Sequence, residues 1–168
     1  AALHVHRDQA LDQPALFVGG AEVDERGGLH LAVGQITEVD FDADVARAAE
    51  CAAEDPDGWR SMPVEQRFEL LGKVAQELRK ARGDLIGAAL ADGGKTPMES
   101  DPEISEAIDF LEFYRDTARW WQQMPTLKAR PKGVVVVVPP WNFPVAIPCG
   151  GVAAALAAGN TVIIKPAS

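Results

Sequence analysis

Three side chains in the stretch VPPWNFPVAIPCGGVAAALAAGNTVIIKPAS, residues 138–168, are of types that could do chemistry: Asn142, Cys149 and Lys165. The neutral amide of Asn142 can donate hydrogen bonds to a developing negative oxygen without itself titrating. Lys165 closes a β-branched run and can bond ribose hydroxyls or a phosphate. Cys149 lies in a Gly/Ala-rich segment with no adjacent base to activate it, so it reads as a small buried hydrophobe and not as a nucleophile. Ordinary roles compete with the chemical ones. An Asn in a proline-rich turn is commonly a turn former, and a lysine ending a strand is commonly solvated. Trp141 and Phe143 read as core anchors. Spacing alone points no further than a nucleotide-binding sheet.

The elements that must position these residues are legible as a pattern. Gly133 to Val138 is a continuous β-branched run, of the kind found in a parallel strand buried on both faces, and Pro139-Pro140 ends it. The segment from Pro148 to Gly159 is nearly all Gly, Ala, Val and Leu, a crossover helix with no polar face. Thr161 to Ile164 is a second strand, completing a βαβ unit. The proline-bounded turn then places Trp141, Asn142 and Phe143 at the carboxyl edge of the sheet, where open α/β proteins bind ligands.

Upstream, Leu16 to Val18 and Leu29 to Val33, set among glycine pairs, predict a β-hairpin or two short strands. A helix over Asp42 to Asp55 carries Val45, Ala48, Ala49 and Ala52, and Pro56-Asp57-Gly58 stops it. A second helix begins near Pro63 with Val64, Phe68, Leu71, Val74 and Leu78 on one face. The pattern breaks at Gly83-Asp84, resumes over Leu85 to Leu90, and stops at Gly93-Gly94. Ser100 or Asp101 followed by Pro102 predicts the cap and first turn of a long helix bearing Ile104, Ile108, Leu111, Tyr114, Ala118 and Trp121. The chain thus divides into strands over 1–41, a helical lead-in over 42–132, and an incomplete βαβ unit over 133–168. Two parallel strands and an apolar crossover helix cannot bury themselves, so a segment of a larger α/β protein is expected.

Composition excludes several classes of function. The 168 residues are 47% hydrophobic and 24% charged, as in soluble globular proteins, and the net charge of -9 opposes binding to nucleic acid. The longest apolar run, around Val134 to Val138, is too short to cross a bilayer, and no signal-peptide pattern opens the chain. A cytoplasmic protein is the expectation. Cys51 and Cys149 form no CxxC pair, and His4, His6 and His30 have no partners at ligand spacing, so no metal site is expected.

The turn PWNFP, the helix ending LAAGN and the strand ending KPA, in that order, resemble the first cofactor-binding βαβ unit of the aldehyde dehydrogenase superfamily. WRSMPVEQRFELLGKVAQELRKARGDLIGAALADGGKT and EISEAIDFLEFY are similar to that family's helical lead-in. The resemblance implies a fragment of the aldehyde dehydrogenase fold, a Rossmann-like parallel sheet preceded by a hairpin and helices. It implies that Asn142 is the oxyanion-hole amide. It also implies that Lys165 holds the adenosine ribose and that Pro139, Pro140 and Trp141 line the cofactor cleft. The family's reaction is thiolate attack on an aldehyde, hydride transfer to NAD(P) and thioester hydrolysis. Its nucleophilic cysteine, general-base glutamate and second glycine-rich turn lie beyond KPA, so the 168-residue chain alone is expected to be inactive and poorly soluble.

PPWNFPVAIPCGG and EISEAIDFLEFY look most like the branch that oxidises L-glutamate γ-semialdehyde, in equilibrium with pyrroline-5-carboxylate, in proline catabolism. Succinate semialdehyde and general aldehydes stand as alternatives, as does an inactive scaffold of the same shape. A homo-oligomer and fusion to a proline dehydrogenase are also implied. Ser168 stands where many NAD-preferring relatives have glutamate, which implies use of NAD with acceptance of NADP. Its ordinary reading is a helix cap.

Overall fold

The computed structural model describes residues 16–23, 29–35 and 41–167. His4, His6 and Ser168 lie outside them. In chain order the elements are β1 (Leu16–Val23), β2 (Leu29–Gln35), α1 (Phe41–Glu54), a 3-10 turn (Trp59–Ser61), α2 (Val64–Lys80), α3 (Arg82–Gly93), α4 (Pro97–Gln122), β3 (Val134–Val137), α5 (Ala146–Ala157) and β4 (Thr161–Ile164).

β3 and β4 pair in parallel with α5 as their crossover, Val134 opposite Thr161 and Val137 opposite Ile164. β1 and β2 pair antiparallel, with a bulge between Gly19 and Ala21, as the expected hairpin requires. β1 also pairs antiparallel with β4, which makes a mixed four-stranded sheet in the order β2-β1-β4-β3.

The core lies where α2, α4 and α5 meet: Leu71 and Ala75, then Ile104, Ile108 and Leu111, then Ala153 and Ala157. These are the apolar stripes that helical spacing predicts, and α5, apolar all round, sits between α4 and the sheet. Two consecutive glycines allow that close fit. A Cβ on Gly150 would stand 2.7 Å from the Phe110 ring of α4, and one on Gly151 would stand 2.8 Å from Val137 of β3. Trp59 anchors the lead-in from below, buried and donating its indole N–H to the Leu156 carbonyl at 3.0 Å.

Four local expectations are corrected. The long helix begins at Pro97, not beside Pro102, because Thr96 and Glu99 form a reciprocal capping box there. Pro102 is tolerated one turn inside, since the bond it forgoes would go to the carbonyl of Met98, an 87% exposed residue in the first turn. The break between α2 and α3 falls on Ala81, and Gly83-Asp84 lies inside α3, where Asp84 suits the positive end of the helix dipole. α5 starts at Ala146 and takes Pro148 into its first turn, where a missing N–H costs nothing. Finally, β3 is not buried on both faces. Val135 and Val137 are half-buried, with Val137 against Gly151 of α5, whereas Val136, on the opposite face, is 60% exposed. A β-branched run marks a strand, but the number of covered faces depends on what packs there.

Candidate active site at the carboxyl edge of the sheet

The backbone N–H of Lys165 donates to the Val137 carbonyl at 3.0 Å, so the two parallel strands end level. Residues following Val137 and Ile164 therefore share one edge, as the βαβ reading requires. Pro139 is buried there, whereas Pro140, Trp141, Asn142 and Lys165 are exposed. Lys165 forms no ion pair among the described residues. Trp141, at 70% exposure, and Phe143, at 40%, are not the core anchors that their size implies. The turn following Pro139-Pro140 lifts both off the sheet before α5 begins.

Asn142 occupies a turn, yet neither usual reason for placing Asn in a turn applies. Its φ is not positive, and its side-chain amide has no hydrogen-bond partner among the described residues. The amide is thus presented, uncommitted, at the carboxyl edge.

Both ends of α5 are tied to other elements, and these ties position the turn. At the amino end, buried Glu103 of α4 accepts the N–H of Val145 at 2.8 Å and of Ala146 at 3.1 Å with one carboxylate oxygen. Its other oxygen receives Lys95 Nζ at 2.5 Å. Burial pushes the Glu103 pKa upward, but the hydrogen bonds from Lys95 and from the two backbone N–H groups outweigh it. The carboxyl is held below its ordinary value of 4.5. Lys95 Nζ also donates to the Asn142 carbonyl at 3.1 Å and lies 4.6 Å from the centre of the Phe143 ring.

At the carboxyl end, buried Arg67 of α2 donates to the Ala157 carbonyl at 3.4 Å and to the Met62 carbonyl. Gly159 takes φ +85, a conformation a side chain resists, and leads into buried Asn160. The Asn160 oxygen accepts the N–H of Lys132 at 2.6 Å and of Gly133 at 3.1 Å, while its amide donates to the Ala155 carbonyl at 3.1 Å. LAAGN therefore turns the chain and staples the start of β3 to the end of α5.

Reading residue types for chemistry misses Lys95, Glu103, Arg67 and Asn160, although a signal exists for two of them. Glu103 shares a helical face with Ala107 and Leu111, and Arg67 with Leu71 and Ala75, so each is a lone charge in an apolar stripe. Cys149 fits its expected role. It donates weakly to the Ala107 carbonyl at 3.5 Å, and burial pushes its thiol pKa up to about 12, far from a reactive thiolate. Among the described residues, no group of three or more His, Cys, Asp or Glu is placed to hold a metal ion. No described helix is long and apolar enough to cross a membrane.

Residues 31–168 match the aldehyde dehydrogenase family. The chain belongs to that family. The bifunctional protein PutA of Escherichia coli is 39% identical over 124 residues, covering 74% of this chain and 9% of PutA. The 1-pyrroline-5-carboxylate dehydrogenase of Bacillus thuringiensis is 35% identical over 133 residues, 73% of this chain and 26% of that enzyme. Among solved structures, a 1-pyrroline-5-carboxylate dehydrogenase from Thermus with bound NAD superposes with a TM-score of 0.73 at 31% identity, over 92% of this chain and 34% of that one. The aldehyde dehydrogenase chain described here thus spans a quarter to a third of these single-activity relatives and about a tenth of PutA. The agreement over 92% of its length supports the fold as a fragment of the aldehyde dehydrogenase fold.

Proposed function

We propose that this chain forms the first cofactor-binding unit, and supplies the oxyanion donor, of an NAD(P)-dependent dehydrogenase that oxidises L-glutamate γ-semialdehyde to glutamate. The observation that carries the reading is Asn142, an exposed amide at the carboxyl edge with no structural partner among the described residues. When a thiolate from elsewhere in the enzyme adds to the aldehyde, the carbonyl oxygen becomes an oxyanion, and the Asn142 N–H donates to it. NAD, when bound, supplies the hydride acceptor. The residues at hand fit it: Lys165 offers an exposed ammonium, in no ion pair among the described residues, to ribose hydroxyls, and Pro139, Pro140 and Trp141 wall the same edge.

The choice of substrate is supported by the names of the relatives, PutA and 1-pyrroline-5-carboxylate dehydrogenase. A homo-oligomeric, cytoplasmic enzyme, with a proline dehydrogenase fused to it as a second activity, completes the proposal. Steady-state oxidation of L-glutamate γ-semialdehyde, succinate semialdehyde and propanal by the complete enzyme tests it. The first should have the highest kcat/KM, by roughly 10-fold or more. Preference for succinate semialdehyde reassigns the substrate, and no turnover of any aldehyde leaves only an inactive scaffold.

Cofactor choice turns on Ser168. A serine hydroxyl can donate to a 2′-phosphate that a glutamate would repel, and Lys165 adds positive charge nearby. The enzyme is therefore expected to use NAD and also accept NADP. Ser168→Glu should lower the NADP to NAD ratio of kcat/KM. An unchanged ratio makes Ser168 a helix cap and nothing more.

A further inference from the structure

Lys95 and Glu103 lie outside the turn that carries Asn142, yet they hold that turn at four points. Lys95 takes the Asn142 carbonyl and faces the Phe143 ring, and Glu103 takes the N–H groups of Val145 and Ala146. Both are rigidly mounted. Lys95 stands between two helix ends: its own N–H donates to the Ala89 carbonyl of α3 at 3.2 Å, after Gly94 turns the chain at φ +65, and the next residue, Thr96, caps α4. Glu103 is 3% exposed and projects from the buried face of α4.

The turn itself contributes little to fixing Asn142. Its side chain bonds nothing among the described residues, and its neighbours Trp141 and Phe143 are exposed. The backbone of residue 142, from which the amide projects, is thus tied to a charge pair from the start of α4. A buried carboxylate with only backbone donors would also leave a net charge in the interior, and Lys95 neutralises it while a second of its three N–H groups reaches residue 142.

We infer that Lys95 and Glu103 are positioning residues for the reaction, a charge-paired clamp that aims the Asn142 amide at the developing oxyanion. This rests on the reading of Asn142 as oxyanion donor. Misplacing a catalytic group by about 1 Å can cost roughly 100-fold, so Lys95→Met, which keeps the aliphatic stem and removes the ammonium, should lower kcat by roughly 10- to 100-fold. The KM for NAD should stay within about twofold, because Lys165 and the Pro139–Trp141 wall keep their contacts.

The decisive measurement is a double-mutant cycle on the complete enzyme with Lys95→Met and Asn142→Ala. If Lys95 acts through Asn142, its removal should change kcat by less than about twofold once the amide is gone. Should Lys95→Met not fold, Glu103→Gln takes its place in the same cycle, since the Gln carbonyl can still accept from Val145 and Ala146 while the charge pair is lost. A loss that is undiminished in the Asn142→Ala background, or no loss in the single variant, overturns the clamp and leaves the reading of Asn142 standing. Full kcat in Asn142→Ala alone overturns both.

Discussion

In the complete enzyme, Asn142→Ala should lower kcat by roughly 100- to 1,000-fold, the effect of removing one preorganised oxyanion donor, equivalent to about 2.7–4 kcal/mol of transition-state stabilisation. The structure makes this a clean substitution. The amide is exposed and bonds nothing among the described residues, so its loss strands no buried partner. The turn keeps its hold, because Lys95 bonds the residue 142 carbonyl and not its side chain. The KM for NAD should change by less than about twofold, which separates a loss confined to the transition state from one in cofactor binding. Asn142→Asp should be worse than alanine, since a carboxylate cannot donate and repels the oxyanion. Retention of full kcat in the alanine variant would make Asn142 a residue of the turn and withdraw the proposed function's main support.

The second large effect is on stability. Asn160→Leu keeps the branched side-chain shape but removes three hydrogen bonds at a site only 5% exposed, leaving the N–H groups of Lys132 and Gly133 without their partner, while the Ala155 carbonyl still accepts the backbone N–H of residue 160 at 3.0 Å. Each stranded buried group costs about 1–3 kcal/mol. Lys132 is exposed and its N–H can turn to water, so the Gly133 N–H carries most of the loss and a total of about 2 kcal/mol is expected. Thermal unfolding should register a fall of roughly 4–8 °C in midpoint. Asn160→Asp keeps the acceptor for both N–H groups and sets a carboxylate oxygen against the Ala155 carbonyl, so it should fall between leucine and wild type. A shift below about 3 °C for the leucine variant would show that the staple between β3 and α5 contributes little.

The elements themselves were readable because their signals are local. β-branched runs mark β3 and β4, stripes at helical spacing mark α2 and α4, and Pro56-Asp57-Gly58 ends α1 where a turn is expected. Boundaries went astray where two local signals competed. Thr96 with Glu99 and Ser100 with Pro102 both look like helix starts, and the reciprocal capping box prevails because it satisfies two orphan donors at once. Gly83-Asp84 looks like a break, yet glycine in a first turn is tolerated and Asp84 there is favourable.

The sequence by itself determined the family, the βαβ unit and the edge at which Asn142 and Lys165 stand, because strand, turn and crossover are encoded by contiguous residues and parallel pairing follows from them. Only the tertiary structure decided that β1 joins β4 antiparallel, that one face of β3 is open, and that Glu103 and Lys95 meet the Asn142 turn while Arg67 and Asn160 hold the opposite end of α5. The ties to the Asn142 turn and to the end of α5 join residues 28 to 90 positions apart, and the β1–β4 pairs lie 144 to 148 apart. A charge in an apolar stripe announces that it needs a partner, but which backbone groups it finds depends on how the helices cross, and that is set by packing over Gly150 and Gly151.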